Sequence, residues 1–159
     1  NWEHIYQNNP YRNQTSDPSG EQKTIRNVIL SLHSLEMAYD TMLEQGQNYD
    51  LVVASRADIR FCKPLMLPEN LSQWELCIPN FHGWGGVNDR FALGGLEAME
   101  AYCRRSAFFD GSMLHPNRRN PEWVLAQWLK RNNIPVVPLD FPFQRIRANG
   151  NVFEMDSSI

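Results

Sequence analysis

The sequence is short of cysteine, of surplus positive charge and of long hydrophobic runs, and each shortage removes a class of function. The three cysteines, Cys62, Cys77 and Cys103, form an odd set with no C-x-x-C spacing and no paired histidines. At most one disulfide can form, and the pattern argues against a zinc site. The 15 basic and 18 acidic residues leave a net charge of −3. A nucleic-acid binder carries a basic surplus, so this balance argues against one, and it is too mild to mark an acidic tail. No stretch approaches the roughly 18–20 apolar residues of a membrane span, and no basic-then-apolar signal segment opens the chain. The four histidines, His4, His33, His82 and His115, are scattered. With no discernible nucleophile–His–acid arrangement, a serine or cysteine hydrolase is unsupported.

What remains is a chain of 159 residues, 42% hydrophobic, a size at which one domain buries about two-thirds of its unfolded surface. Residues 1–20 are polar and rich in Asn, Gln, Pro and Gly, and they read as an irregular arm with Trp2, Tyr6 and Tyr11 available for packing. Residues 21–147 read as the core and 148–159 as a tail. Asn13-Gln14-Thr15 and Asn70-Leu71-Ser72 fit the N-glycosylation triplet, which recurs often by chance.

Within the core, Ile25, Val28, Ile29, Leu32, Leu35, Tyr39, Met42 and Leu43 recur at helical spacing. Gly46 is placed to end that helix in a left-handed turn. Asp50 to Ser55 is continuously apolar from Leu51 to Ala54 and predicts a strand covered on both faces. Further strands are predicted at 75–79 and 90–93. Gly94-Gly95 opens a helix through Cys103, and Pro121 starts another at the position where a missing N–H costs nothing. Ile134 to Val137, weakened by prolines, predicts a strand at a sheet edge. This order predicts an α/β fold, a three-layer α/β/α sandwich with a mixed sheet.

Three segments hold the candidate chemistry. Arg56 and Asp58 follow the apolar strand two residues apart, on one side of extended chain. The carboxylate can hold a divalent ion and the guanidinium a diphosphate; the plain alternative is an ion pair closing the strand. Asp89 follows a glycine-rich loop that contains Trp84. It can take a proton from a sugar hydroxyl, or serve only as a turn or cap residue. Gly94 and Gly95 admit close approach by a sugar, or by neighbouring backbone. Glu122 lies in the first turn of a helix, favoured there by the helix dipole without any function, or facing an acceptor. Trp123 offers an apolar face, although its helical spacing with Trp128 favours a core role.

The run Tyr49-Asp50-Leu51-Val52-Val53-Ala54-Ser55-Arg56-Ala57-Asp58-Ile59-Arg60-Phe61 resembles the strand and acidic motif of GT-A-type glycosyltransferases. Most similar is a group from viruses, algae and bacteria with an R-x-D motif, a distal N-D-R-F-A-x-G and a later P-E helix. Here these stand at Arg56/Asp58, Asn88 to Gly94 and Pro121/Glu122. The resemblance spans about residues 24–147. It implies transfer of a sugar from a nucleotide-diphosphate donor to a glycan or other hydroxyl acceptor, with Mn2+ or Mg2+ at Asp58. Arg56, Trp84, Asn88, Arg90, Gly94 and Gly95 would bind substrate, and Asp89 or Glu122 would be the base. The usual leading acid is Arg56 here, so Asp58 is the sole expected metal ligand of the triplet. Nothing before Thr24 resembles the first nucleotide-binding strand of that fold, so the chain is expected to lack it. A membrane anchor preceding Asn1 would place the domain in the Golgi lumen; otherwise the cytoplasm is expected. The competing readings are a non-catalytic carbohydrate-binding or interaction domain and a nucleotidyltransferase.

Overall fold

The computed structural model describes residues 23–109 and 120–157. The expected arm with Trp2, Tyr6 and Tyr11, the Asn13 triplet and His115 lie outside the described residues. Helix α1 spans Lys23–Glu44 and buries Ile29, Leu32 and Tyr39 along one face. Gly46 ends it at φ +63°, its N–H donating to the Leu43 carbonyl at 3.0 Å. The left-handed conformation costs glycine nothing, which is why the chain turns there.

Strands β1 (Val52–Ser55), β3 (Leu76–Pro79), β4 (Phe91–Gly94) and β5 (Val136–Leu139) form a mixed sheet in the order β1-β4-β3-β5. β4 runs antiparallel to both β1 and β3, whereas β3 and β5 are parallel. Helices α2 (Leu96–Cys103) and α3 (Pro121–Arg131) supply the connection between β4 and β5. Strands β2 (Ile59–Phe61) and β6 (Phe143–Arg145) pair separately as a two-stranded ribbon.

The alternation of side chains divides the core in two. Leu76, Ile78 and Ala92 face the helices and pack with Tyr39, Met99, Tyr102, Leu125 and Leu129. Cys77, Phe91 and Leu93 face the other way and pack with Leu139, Phe141 and Phe143, joined by Ile59, Leu65 and Leu71. Each fully buried Leu, Ile or Phe contributes about 1.5–3 kcal/mol.

The mixed α/β sheet is as expected, but the second covering layer is not helical. The β2–β6 ribbon and the loop through Leu65 and Leu71 cover that face among the described residues. β1 also differs from expectation: among the described residues it is an edge strand with β4 as its one neighbour, and Val53 is 48% exposed. The strands buried along their whole length are β3 and β4. An apolar run records hydrophobicity, not position in a sheet. β5 lies at the opposite edge, where the missing N–H of Pro138 is tolerated. No helix of the described residues is long and apolar enough to cross a membrane.

Candidate functional site

Sheet register draws two of the three motif segments together, and Arg90 ties them to the third. Ser55 at the end of β1 pairs with Phe91 at the start of β4, so Arg56 leaves its strand beside the Asn88-Asp89-Arg90 loop. The Arg56 N–H donates to the Arg90 carbonyl at 3.0 Å. Because β4 is antiparallel to its neighbours and β3 is parallel to β5, the carboxyl ends of β1, β3 and β5 gather at the same edge. That edge is where open α/β sheets bind ligands.

The loop into β4 is built around Asn88, which is fully buried. Its Nδ2 donates to the Phe81 carbonyl at 3.0 Å and its Oδ1 accepts the Arg90 N–H at 2.9 Å. Asn88 therefore shapes the loop rather than presenting itself to a ligand. Arg90 reaches across to α3, where Nη2 donates to Glu122 Oε1 at 2.7 Å. Its Nη1 lies 3.3 Å from Asp89 Oδ1, an ion pair without hydrogen-bond geometry. One buried cation thus serves two carboxylates. Glu122 is 4% exposed; burial, and then the negative charge of Asp89, push its carboxyl above the usual range, against the opposing pull of Arg90.

The loop docks closely on α3. The Val87 N–H donates to the Glu122 carbonyl at 3.2 Å, and a Cβ at Gly86 would collide with that carbonyl and with the Trp123 nitrogen. Gly86→Ala is expected to destabilise the protein by about 1–3 kcal/mol through overpacking, read as a lower urea midpoint at unchanged slope.

Beside this cluster runs an open groove of about 700 Å³, lined by Ser31, Ser34 and Leu35 of α1, by Ser55–Asp58, and by Asp89, Arg90, Tyr102 and Arg105. The volume falls within the range of small-molecule and cofactor sites. Arg56 and Asp58 form a bidentate pair in it, Nε to Oδ1 at 2.7 Å and Nη2 to Oδ2 at 2.6 Å. The hydrogen bonds from Arg56 hold the Asp58 carboxyl below its ordinary range. With side chains 50% and 37% exposed, the pair adds only about 0–1 kcal/mol to stability. The small stabilisation tied to the lowered Asp58 pKa is present above the unfolded value and fades as pH falls through the folded one.

Asp58 is a poor seat for a resident Mn2+ or Mg2+. Both its oxygens accept from Arg56, and among the described residues no group of three or more His, Cys, Asp or Glu side chains is placed to hold a metal ion. A hard divalent cation takes six or more oxygen ligands, usually from more than one protein group or from waters and phosphate. The residues present do not fit the ion that the resemblance implies.

Of the expected site residues, the groove brings together Arg56, Asp58, Asp89 and Arg90, with Glu122 and Asn88 supporting from outside its lining. Trp84, Gly94 and Gly95 are not among the lining residues. Trp84 is half-exposed at φ +45° and stacks on His82 with ring centroids 5.5 Å apart. A Cβ at Gly94 would stand 2.9 Å from the Glu75 carbonyl, and one at Gly95 would stand 2.5 Å from Gln73 Cα. Both glycines accommodate neighbouring backbone.

Two lining residues, Tyr102 and Arg105, carried no functional signature in the sequence. Tyr102 belongs to the apolar stripe of its helix, yet its hydroxyl donates to the Asp89 carbonyl at 2.9 Å. Burial pushes its phenol up to about 12, so it remains a donor. Arg105 sits just past the helix end, where basic residues are common for reasons of the dipole alone. None of the protein-family models, curated proteins or solved structures compared with this chain matches it, so the chemistry of the groove is what a functional reading rests on.

Proposed function

We propose that the protein is a GT-A-like glycosyltransferase, moving a sugar from a nucleotide-diphosphate donor to a hydroxyl of a glycan or similar acceptor. The observation that carries this reading is the convergence of Arg56, Asp89 and Arg90 on one groove at the carboxyl edge of the sheet. Arg56 offers a planar fork to phosphate oxygens. Asp89 is the carboxylate on the groove that can accept the acceptor's proton. In the transfer, the bond between the sugar's anomeric carbon and the diphosphate oxygen breaks, and its electron pair leaves with the diphosphate. The acceptor oxygen bonds to that carbon and Asp89 takes its proton. Arg90 and Glu122 fix Asp89 in place, which makes Glu122 a positioning residue in this scheme.

The test is product analysis. The protein is incubated with a panel of nucleotide sugars and glycan acceptors, and the released nucleotide is identified. A nucleoside diphosphate accompanied by a glycosylated acceptor is the expected outcome. Release of pyrophosphate would instead indicate a nucleotidyltransferase. The half-exposed Trp84 stacked on His82, outside the groove, favours a second reading as a sugar-binding module. Saturable binding of free sugars without any nucleotide turnover would select it.

A further inference from the structure

Arg105 is a buried positive charge without a carboxylate partner among the described residues. It is 5% exposed and lines the same groove as Arg56. Its Nη1 donates to the Tyr102 carbonyl at 2.7 Å, and its guanidinium carbon lies 4.1 Å from the Tyr102 ring centroid. These contacts fix the fork, and the carbonyls at a helix end soften its charge in part. Among the described residues no acid pairs with it. Asp58 is taken by Arg56, and Asp89 and Glu122 are taken by Arg90. The acids near the adjoining Arg104, Glu36, Asp40 and Glu100, are taken by that residue.

A buried charge lacking a counter-charge is costly, and proteins normally pair it. Among the described residues the groove lining holds three arginines, Arg56, Arg90 and Arg105, against two aspartates, Asp58 and Asp89. Glu122 stands behind Arg90 and is not part of the lining. An anion entering the groove therefore meets one cation that no acid of the described residues neutralises and a second, Arg56, whose exposed ion pair exchanges at little cost.

We infer that Arg105 and Arg56 together hold the diphosphate of the donor without a divalent cation. Arg105 is the fixed fork, and Arg56 exchanges Asp58 for phosphate oxygens. This rests on the glycosyl-transfer reading above and deepens it: two guanidinium groups supply the charge that stabilises the departing diphosphate, in place of the metal that Asp58 is ill-placed to hold. Guanidinium suits this task because its planar donors match phosphate oxygens in pairs.

The experiment is calorimetric titration with inorganic pyrophosphate in EDTA. Wild-type protein is expected to bind saturably, with no gain on adding Mg2+. Arg105→Met and Arg56→Gln should each weaken binding at least tenfold. Asp58→Asn, which removes the competitor for Arg56, should bind more tightly. Without ligand, Arg105→Met should melt at or above the wild-type temperature, because it removes an unpaired buried charge. Pyrophosphate should raise the Tm of wild type and, at the same concentration, raise that of Arg105→Met by less. Should Arg105→Met fail to fold, Arg105→Lys keeps the charge but loses the fork, and weaker binding by it carries the same test. Binding that requires Mg2+, or equal affinity in wild type and the Arg105 variant, overturns the inference. The two readings separate cleanly. Arg105-dependent pyrophosphate binding with no sugar transfer leaves the anion clamp and removes the transferase. Transfer at wild-type KM by an Arg105 variant does the reverse.

Discussion

Replacing Arg90 by methionine is expected to lower stability by about 3–5 kcal/mol at neutral pH, because it strands buried carboxylates without their cation. In a chain of this size that corresponds to about 2–4 °C of Tm for each kcal/mol lost. Methionine nearly matches the length of the arginine stem, so little of the loss comes from volume. The loss comes instead from Glu122, which surrenders its 2.7 Å hydrogen bond, and from Asp89, which loses the guanidinium 3.3 Å away.

The pH dependence identifies the cause. The Glu122 carboxyl already titrates above its ordinary value through burial and the charge of Asp89, and removing Arg90 must raise it further. A carboxyl whose folded pKa exceeds its unfolded one stabilises the fold below the unfolded value. That contribution disappears as pH rises through the folded pKa. The gap between Arg90→Met and wild type should therefore narrow as pH is lowered from neutral towards the carboxylate range. Adding Glu122→Gln to Arg90→Met should recover much of the stability at neutral pH. Urea unfolding of the three proteins at two pH values measures this. A deficit that is the same at both pH values would show that Arg90 acts through packing rather than charge.

That cluster also shows where sequence reasoning reaches and where it stops. Helix α1 was legible because eight apolar residues repeat at helical spacing and Gly46 ends them; the helix observed is Lys23–Glu44. Pro121 placed the start of α3 at its first residue. The short strands β2 and β6 were not legible. Ile59–Phe61 and Phe143–Arg145 have three residues each, and they exist through pairing with a partner some eighty residues away. The face they cover was assigned to a helical layer for the same reason. The site was legible segment by segment, since each motif follows or precedes a regular element. The pairing Ser55↔Phe91 that joins two of them is a register, which no single segment encodes. Arg105 left no trace in the sequence because its distinction, burial with no acid beside it among the described residues, belongs to its surroundings.

Asp89→Asn is expected to lower kcat by about 10²–10⁴-fold, the range for loss of a general base, with KM and Tm little changed. Asp89 lines the groove and its Oδ1 is buried with no hydrogen-bond partner among the described residues, so the amide fits the same space and keeps one acceptor oxygen. What asparagine cannot do is take the acceptor's proton. Glu122→Gln provides the contrast. Glu122 lies outside the groove lining with Oε1 on Arg90, and a glutamine retains that acceptor. It should cost far less in kcat, through a loosened Arg90 alone. Wild-type turnover by Asp89→Asn would remove Asp89 as the base, and a kcat loss of that size in Glu122→Gln instead would transfer that role to Glu122. The burial of Glu122 behind Arg90 argues against the second outcome, since a base must reach the hydroxyl it deprotonates directly or through one water.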